Sequence, residues 1–522
     1  MKSRLLLGVL LVAGAVAPAA WLGWSVRGFA EEPAKSSNTV AMHDDGTLAE
    51  PAPKTPAQAA SEKREEQEFF EMYKALADTV DQVDRNYVKK IDRRELMEAA
   101  IKGVLSKLDP YSSYIGPEDA GRFKDTVENQ FGGIGIQIVA EDGQIKVLSP
   151  LLGSPAYKAG LQAGDRILKI GGQSAVGMLL DDAVHKLKGD VGTSVSLTVA
   201  HAIGGKQETV TVNRELIHVD TVLGDHRKSD DTWDFMLDPE RRIGYICITT
   251  FSRDTAQDLK KAMIELKAQK LRGLILDLRF NPGGLLTAAV DTCDMFLKEG
   301  RIVSTEGRNS PKRVWDATKK SDAYSGFPMV VLVNHYSASA SEIVSACLQD
   351  HQRAIVIGDR TWGKGSVQNV IELEDGKSLL KLTTASYKRP NGHNIHRFPD
   401  SKESDEWGVM PNPGFAVKLS EEEMGELLAE RRERDILLPQ KKANPPDANN
   451  AKPDAKTQAA HDAKKPDAGK SETAKAHDLK PDAGKPEAAK PEAAKADSEK
   501  PANDRQLQKA IDYLTTELAK TS

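Results

Sequence analysis

Apolar positions recur along this chain in three different rhythms, and each predicts a different kind of element. Over residues 62–107 the step is three and four: Phe69, Tyr73, Leu76, Val80 and Val83 form one stripe, and Leu96, Ala99, Ile101, Val104 and Leu105 a second. A helical cap packed on a larger core accounts for both. Asp109-Pro110 ends the run, because the residue before a proline is pushed out of helical geometry. Over 128–218 the pattern shortens to β-branched runs (Ile134 to Val139, Ile145 to Leu148, Ile167 to Ile170, Val195 to Val199, Glu208 to Val212), punctuated by glycine turns and one helical stretch at 180–188. This predicts a compact β-rich module. From residue 240 strand and helix alternate: strands at 243–248, 274–277, 329–333 and 354–357, helices over 254–269, 284–298 and 340–349. Such alternation predicts an α/β core with crossover connections.

Two stretches fall outside these rhythms. Residues 31–62 are a Pro/Ala-rich linker, and 439–502 repeat Lys-Pro-Asp-Ala and Lys-Pro-Glu-Ala with almost no large apolar side chains. Such sequence cannot bury a core and reads as a disordered, solvated tether. Periodicity returns beyond it, where Leu507, Ile511, Leu514 and Leu518 make one face of a short helix. At the other end, Lys2 and Arg4 precede an uninterrupted apolar-to-small stretch from Leu5 to Trp24, the pattern of an export signal. Gly28-Phe29-Ala30 before Glu31 suits a signal-peptidase site, and the stretch is also long enough to remain in the bilayer as an anchor. The sequence leaves removal and anchoring both open.

Composition narrows the function classes. The 522 residues exceed one ordinary domain, and the low hydrophobic content of 39% reflects the polar segments rather than the folded parts. A net charge of −5 gives no case for nucleic acid as a partner. Cys247, Cys293 and Cys347 lack metal-ligand spacing, and an odd number cannot close a complete disulfide framework, so they read as small buried residues.

The β-rich module opens on Phe131-Gly132-Gly133-Ile134-Gly135-Ile136, where glycines let a loop expose consecutive backbone N–H groups before a strand. Such a nest captures a terminal carboxylate. Ser154-Pro155-Ala156, Ala159-Gly160-Leu161, Gly164-Asp165-Arg166-Ile167-Leu168 and Val191-Gly192 follow in order. As a set they resemble a PDZ domain. The resemblance implies a groove that adds an extended peptide as a strand, its carboxylate held by the amides of Ile134, Gly135 and Ile136; a purely structural module is the alternative.

The chemistry is concentrated in Asn334-His335-Tyr336-Ser337-Ala338-Ser339-Ala340-Ser341-Glu342, which follows an apolar strand and opens a helix. Ser339 with Glu342 fits a capping box, a sufficient structural reason for both. A nucleophile at this place has the amide of Ala340 beside it, aimed by the helix at a developing oxyanion. A serine also needs a base. Lys364, flanked by glycines in Thr361-Trp362-Gly363-Lys364-Gly365-Ser366-Val367-Gln368, becomes one if burial lowers its pKa, although an isolated lysine is ordinarily a solvated charge. Gln368 shares the face of Lys364 in an extended segment and can hold its amine.

These two segments, with Leu348-Gln349-Asp350, Arg353-Ala354, Leu108-Asp109-Pro110-Tyr111-Ser112-Ser113-Tyr114, Asp277-Leu278-Arg279, Asn281-Pro282-Gly283-Gly284 and Lys381-Leu382-Thr383-Thr384-Ala385, resemble the carboxyl-terminal processing (tail-specific) peptidase family over about residues 68–438. The resemblance implies a nucleophile at Ser339, a general base at Lys364, a lysine-orienting glutamine at Gln368, and bystander serines at 337 and 341. It places the second oxyanion donor on Gly283 or Gly284. It implies a ClpP/crotonase-like α/β protease core with a helical N-terminal cap and an inserted PDZ domain. The activity implied is endoproteolysis through an acyl-enzyme, on periplasmic or cell-envelope proteins engaged near free C-termini, with no metal or organic cofactor. The expected organisation is 1–30 signal peptide or membrane anchor, 31–62 linker, 63–127 cap, 128–218 PDZ domain, 219–438 catalytic core, 439–502 tether and 503–522 terminal helix packed back on the core. A homo-oligomer is consistent with the family.

Phe280 stands where the family commonly has a polar residue and Trp362 where it has phenylalanine, and 389–404, with His393 and His396, departs from its pattern. Three competing readings use the same residues. Gly358-x4-Gly363-Lys364 outlines a phosphate loop, but Gly365 replaces Ser/Thr and a strand is predicted where a helix should follow. His335, four residues before Ser339 in one turn, is poorly placed as its base. A non-catalytic scaffold that keeps the fold is the third.

Overall fold

Four runs of consecutive apolar residues form the center of the α/β part, and a strand apolar on both faces must be covered on both faces. In the computed structural model, which describes residues 9–11, 56–128, 130–318, 324–437 and 504–520, these runs are the parallel strands Ile243–Ile248, Gly273–Asp277, Met329–Val333 and Ile355–Gly358, neighbors in that order. Val222–Leu223 and Met236–Asp238 add antiparallel to the first of them. One face carries the helices Thr255–Ala268, Leu286–Phe296 and Ala340–Asp350, which bury Leu259, Met263, Leu286, Cys293, Val344 and Cys347 against it. Arg505–Lys520 covers the other face with Ala510, Ile511, Leu514 and Leu518, so the last helix does pack back on the core. Cys247, Cys293 and Cys347 are buried and free.

This topology places the chemistry. The segments 279–284, 334–339 and 359–364 each leave the carboxyl end of one of three adjacent parallel strands, where open α/β sheets hold their sites. A second, antiparallel sheet supplies the opposite wall: Ser310–Asp316, Arg301–Gly307, Ser378–Lys388 and Ser113–Ile115, with Ser366–Leu373 also laddered to Ser378–Lys388. The run after Lys364 is therefore a strand, and the phosphate-loop outline lacks the helix it requires. Glu421–Asp435, unread from the sequence, packs Met424 and Leu427 with Leu419 against Phe280 and Tyr336.

The β-rich module is a sheet of Ile136–Glu141, Gln144–Pro150, Arg166–Ile170, Ser194–Ala200 and Gln207–Asn213, closed by the helices Pro155–Lys158 and Leu180–Leu187 around its own apolar cluster. Residues 9–11 pair antiparallel with 137–139, on the edge of Ile136–Glu141 not used by its neighbor in the sheet.

One expectation is overturned in part at the N-terminal end. The helix Pro56–Asn86 meets Arg93–Leu105, but the first part of its stripe does not reach a core: Phe69, Tyr73 and Leu76 are 42–60% exposed, whereas Val80 and Val83 are half-buried. Helical periodicity shows that an apolar face exists and is silent on what covers it. The tether at 439–502, the linker up to residue 55 and the signal segment apart from 9–11 lie outside the described residues.

Candidate active site

Ser339 caps the helix Ala340–Asp350 with φ 56° and ψ −113°, a conformation that a residue bearing a Cβ adopts only under constraint. Holding it stores about 1–3 kcal/mol. The constraint is Glu342, which is fully buried and accepts four hydrogen bonds: from the amides of Ser339 (2.8 Å), Gly363 (2.7 Å) and Lys364 (2.8 Å) and from Thr361 Oγ1 (2.6 Å). The predicted capping box is present, with the Glu342 side chain accepting from the Ser339 amide and the Ser339 side chain facing the Glu342 amide. Burial pushes the Glu342 carboxyl above its usual range, and the four donors oppose that shift. One carboxylate therefore ties the serine turn to the lysine segment. Sequence reasoning saw Glu342 only as a cap, since its other partners are about twenty residues away.

Lys364 is 0% exposed, and its Nζ has no hydrogen-bond partner among the described residues. Burial, with repulsion from Lys381 next, lowers its ammonium to about 7 against weaker attraction from Glu342 and Asp109. The Nζ lies 5.2 Å from the center of the Tyr111 ring, whose hydroxyl accepts from Trp362 Nε1 at 3.2 Å. Trp362 thus touches the lysine's surroundings at second hand. Tyr387 donates its hydroxyl to the Lys364 carbonyl and lies against the Ser339 hydroxyl, so serine and lysine share one pocket.

Gln368 faces the same wall but does not hold the amine. Its Nε2 donates to Ser366 Oγ (2.9 Å) and Thr383 Oγ1 (3.2 Å), and Thr383 in turn donates to Asp109 (3.2 Å). Asp109 also accepts from the amides of Tyr111 and Ser112, fixing the turn that brings Tyr111 under the lysine. The Asp-Pro-Tyr-Ser-Ser segment, legible beforehand only as a motif match, is a wall of the site.

The two candidate oxyanion glycines separate clearly. The Gly283 amide donates to Asn281 Oδ1 at 2.8 Å and is engaged, whereas the amides of Gly284 and Ala340 have no partner among the described residues. Gly283 serves by size: at φ 105°, a Cβ there would lie 2.7 Å from Ser339 Cβ and 2.7 Å from the Ala338 carbonyl. Ser337 donates to the Leu278 carbonyl and Ser341 to that of Asn281, so both hydroxyls hold turns together. His335 turns away from Ser339, with Nδ1 3.8 Å from Asp359. His393 pairs with Glu406 (2.5 Å) in an exposed loop, while His396 accepts from the Gly365 amide (3.3 Å) beside Tyr111.

In the β-rich module, the Ile134 carbonyl accepts from Ala156 and the Gly135 carbonyl from Leu151. A trans peptide points its N–H opposite its C=O, so the amides of Gly135 and Ile136 face outward at the head of the Ile136–Glu141 edge.

Comparison with known proteins agrees with this anatomy. Residues 242–402 match Peptidase family S41, 146–201 a PDZ domain, and 39–119 the Activating protease CtpB N-terminal domain. The carboxy-terminal-processing protease of Bartonella bacilliformis is 37% identical over 376 residues, 71% of this chain and 83% of that protein. This chain belongs to the carboxy-terminal processing protease family. It is a serine-type peptidase carrying a PDZ domain. The carboxy-terminal processing protease CtpB of Bacillus subtilis is 36% identical over 69% of this chain and 71% of that protein. Among solved structures, the photosystem II D1 C-terminal processing protease aligns over 66% of this chain and 92% of that one, at 29% identity and a TM-score of 0.37.

Proposed function

We propose that this member of the family is an exported, cell-envelope endopeptidase that engages proteins near their free C-termini and cleaves them with Ser339 as nucleophile and Lys364 as general base. The observation that carries the reading is a fully buried lysine amine with no hydrogen-bond partner, in one pocket with a serine strained at a helix N-terminus. A buried polar group left unpaired costs about 1–3 kcal/mol, which a fold keeps only where the group has work to do. The export assignment rests on the Lys2-to-Trp24 pattern. Whether that segment stays as an anchor and whether the chain self-associates bear on neither step below. We assign the core to the ClpP/crotonase-like class on the parallel sheet and the strand-end placement of its site.

In this scheme the uncharged Lys364 amine takes the Ser339 proton as Oγ attacks a peptide carbonyl. The resting lysine makes no hydrogen bond to the serine, so a side-chain rotation on substrate binding closes that gap. The oxyanion meets the open amides of Ala340 and Gly284. The ammonium then protonates the leaving amine, and a water deprotonated by the same lysine releases the acyl group from Ser339. Gln368 acts through Thr383 and Asp109 on the pocket wall unless the rotation brings it to the amine. On the PDZ edge the C-terminal strand of the substrate takes the place that residues 9–11 occupy beside Ile136–Glu141, with the amides of Gly135 and Ile136 at its head and a contribution from Ile134.

The test is cleavage of one unstructured polypeptide with a free or an amidated C-terminus. The reading expects KM to rise at least tenfold on amidation. Equal kinetics for both would remove C-terminal recognition while leaving the chemistry standing.

A further inference from the structure

Lysine is almost never buried without a reason. Among the described residues two lysines are, Lys364 at 0% and Lys381 at 4% exposure, and the mechanism above uses only the first. Lys381 sits on Ser378–Lys388 and is laddered on both sides, to Val370 and to Ser113. Side chains alternate along the regular stretch of this strand, so residues 381 and 383 share a face. That face borders the active site, where Thr383 bonds Gln368 and Asp109; beyond a bulge in the ladder, Tyr387 of the same strand reaches Lys364 and Ser339. Because Gln368 pairs across the ladder with Thr383, Lys381 is one diagonal step from Gln368.

The groups that face the Lys364 amine come from every element around it. Glu342 on the serine helix and Asp109 on the cap turn are anionic and favor an ammonium; the Tyr111 ring, the Tyr387 hydroxyl and the His396 imidazole carry no formal charge when neutral. Lys381 is the cation in this set, and its charge opposes an ammonium at Lys364. We propose that Lys381 is a positioning residue for catalysis, a fixed buried cation whose repulsion keeps Lys364 in the amine form a general base requires. The proposal rests on reading Lys364 as that base.

The experiment is the pH dependence of kcat/KM on an unstructured fluorogenic protein for the wild type, Lys381→Met, Lys381→Gln and Lys381→Arg, each checked for folding by circular dichroism. The two uncharged variants differ in packing, so one remains informative if the other does not fold. Removing a like charge within one pocket moves the acid limb up by about one pH unit, which makes the variants about tenfold less active at the foot of the limb and equal to the wild type on the alkaline plateau. Arginine restores the wild-type limb. A uniform loss at every pH, an unmoved limb in the uncharged variants, or an arginine variant behaving like methionine overturns the proposal. Lys364→Ala in the same assay separates the two claims: activity surviving there refutes the base itself, whatever Lys381 does.

Discussion

Asp504 is the described residue that opens the last helix, and replacing it by alanine should undock that helix from the catalytic core. Arg279 is buried, its side chain 1% exposed, and it holds Asp277 with Nη2 at 2.7 Å and Asp504 through two bonds of 2.8 Å, while Nη1 also reaches Gln506 at 3.1 Å. Asp277 additionally accepts from Arg431 and from the Tyr245 hydroxyl (2.8 Å). Two arginines and two aspartates balance, so Asp504→Ala leaves one buried positive charge without its partner. Breaking such a pair costs about 3–5 kcal/mol, and the low end applies because Arg279 keeps Asp277. Asp504 also accepts from the Leu507 amide at 3.0 Å as a helix cap, worth about 1 kcal/mol. The sum, about 4 kcal/mol, is about a thousandfold in the docking equilibrium. Amide hydrogen exchange reads it: protection over residues 505–520 should fall about a thousandfold while Ile243–Ile248 changes far less. Arg279 leads directly into the Asn281–Gly284 turn, so kcat should fall as well. A loss of protection under about tenfold would refute the reasoning, showing that apolar contact alone seats the helix.

Two further outcomes follow from the site. Lys364 is lowered to about 7, so the amine fraction is about one half at pH 7 and about a tenth at pH 6; kcat/KM of the wild type should rise through that range and level off above it, and a limb centered above pH 9 would contradict a depressed lysine. Gly283→Ala places a Cβ 2.7 Å from that of Ser339, so kcat should drop by about a hundredfold or more with the circular dichroism spectrum unchanged; near-wild-type turnover would show that the turn yields without disturbing the serine.

What the sequence could reveal depended on how local each cause was. Strands apolar on both faces, the 3.6-residue step ending in Leu514 and Leu518, and the Ser339–Glu342 pair all act within one element and are legible as spacing. Glu342 as a clamp on Gly363 and Lys364 and Asp504 as the partner of Arg279 join segments far apart in the chain, and no local pattern marks them. That Asn281 engages the Gly283 amide and leaves that of Gly284 open is likewise a product of the folded turn. The Phe69–Leu76 stripe misled for the converse reason: its periodicity was real, but the covering surface expected for it is not supplied by the core.

The central claim is the pairing of Ser339 with Lys364, and it is tested most directly by hydrolysis of an unstructured protein by the wild type, Ser339→Ala and Lys364→Ala, with folding verified for each. The account predicts cleavage by the wild type and a loss of about a thousandfold or more in both variants. Cleavage surviving in folded Lys364→Ala would contradict it.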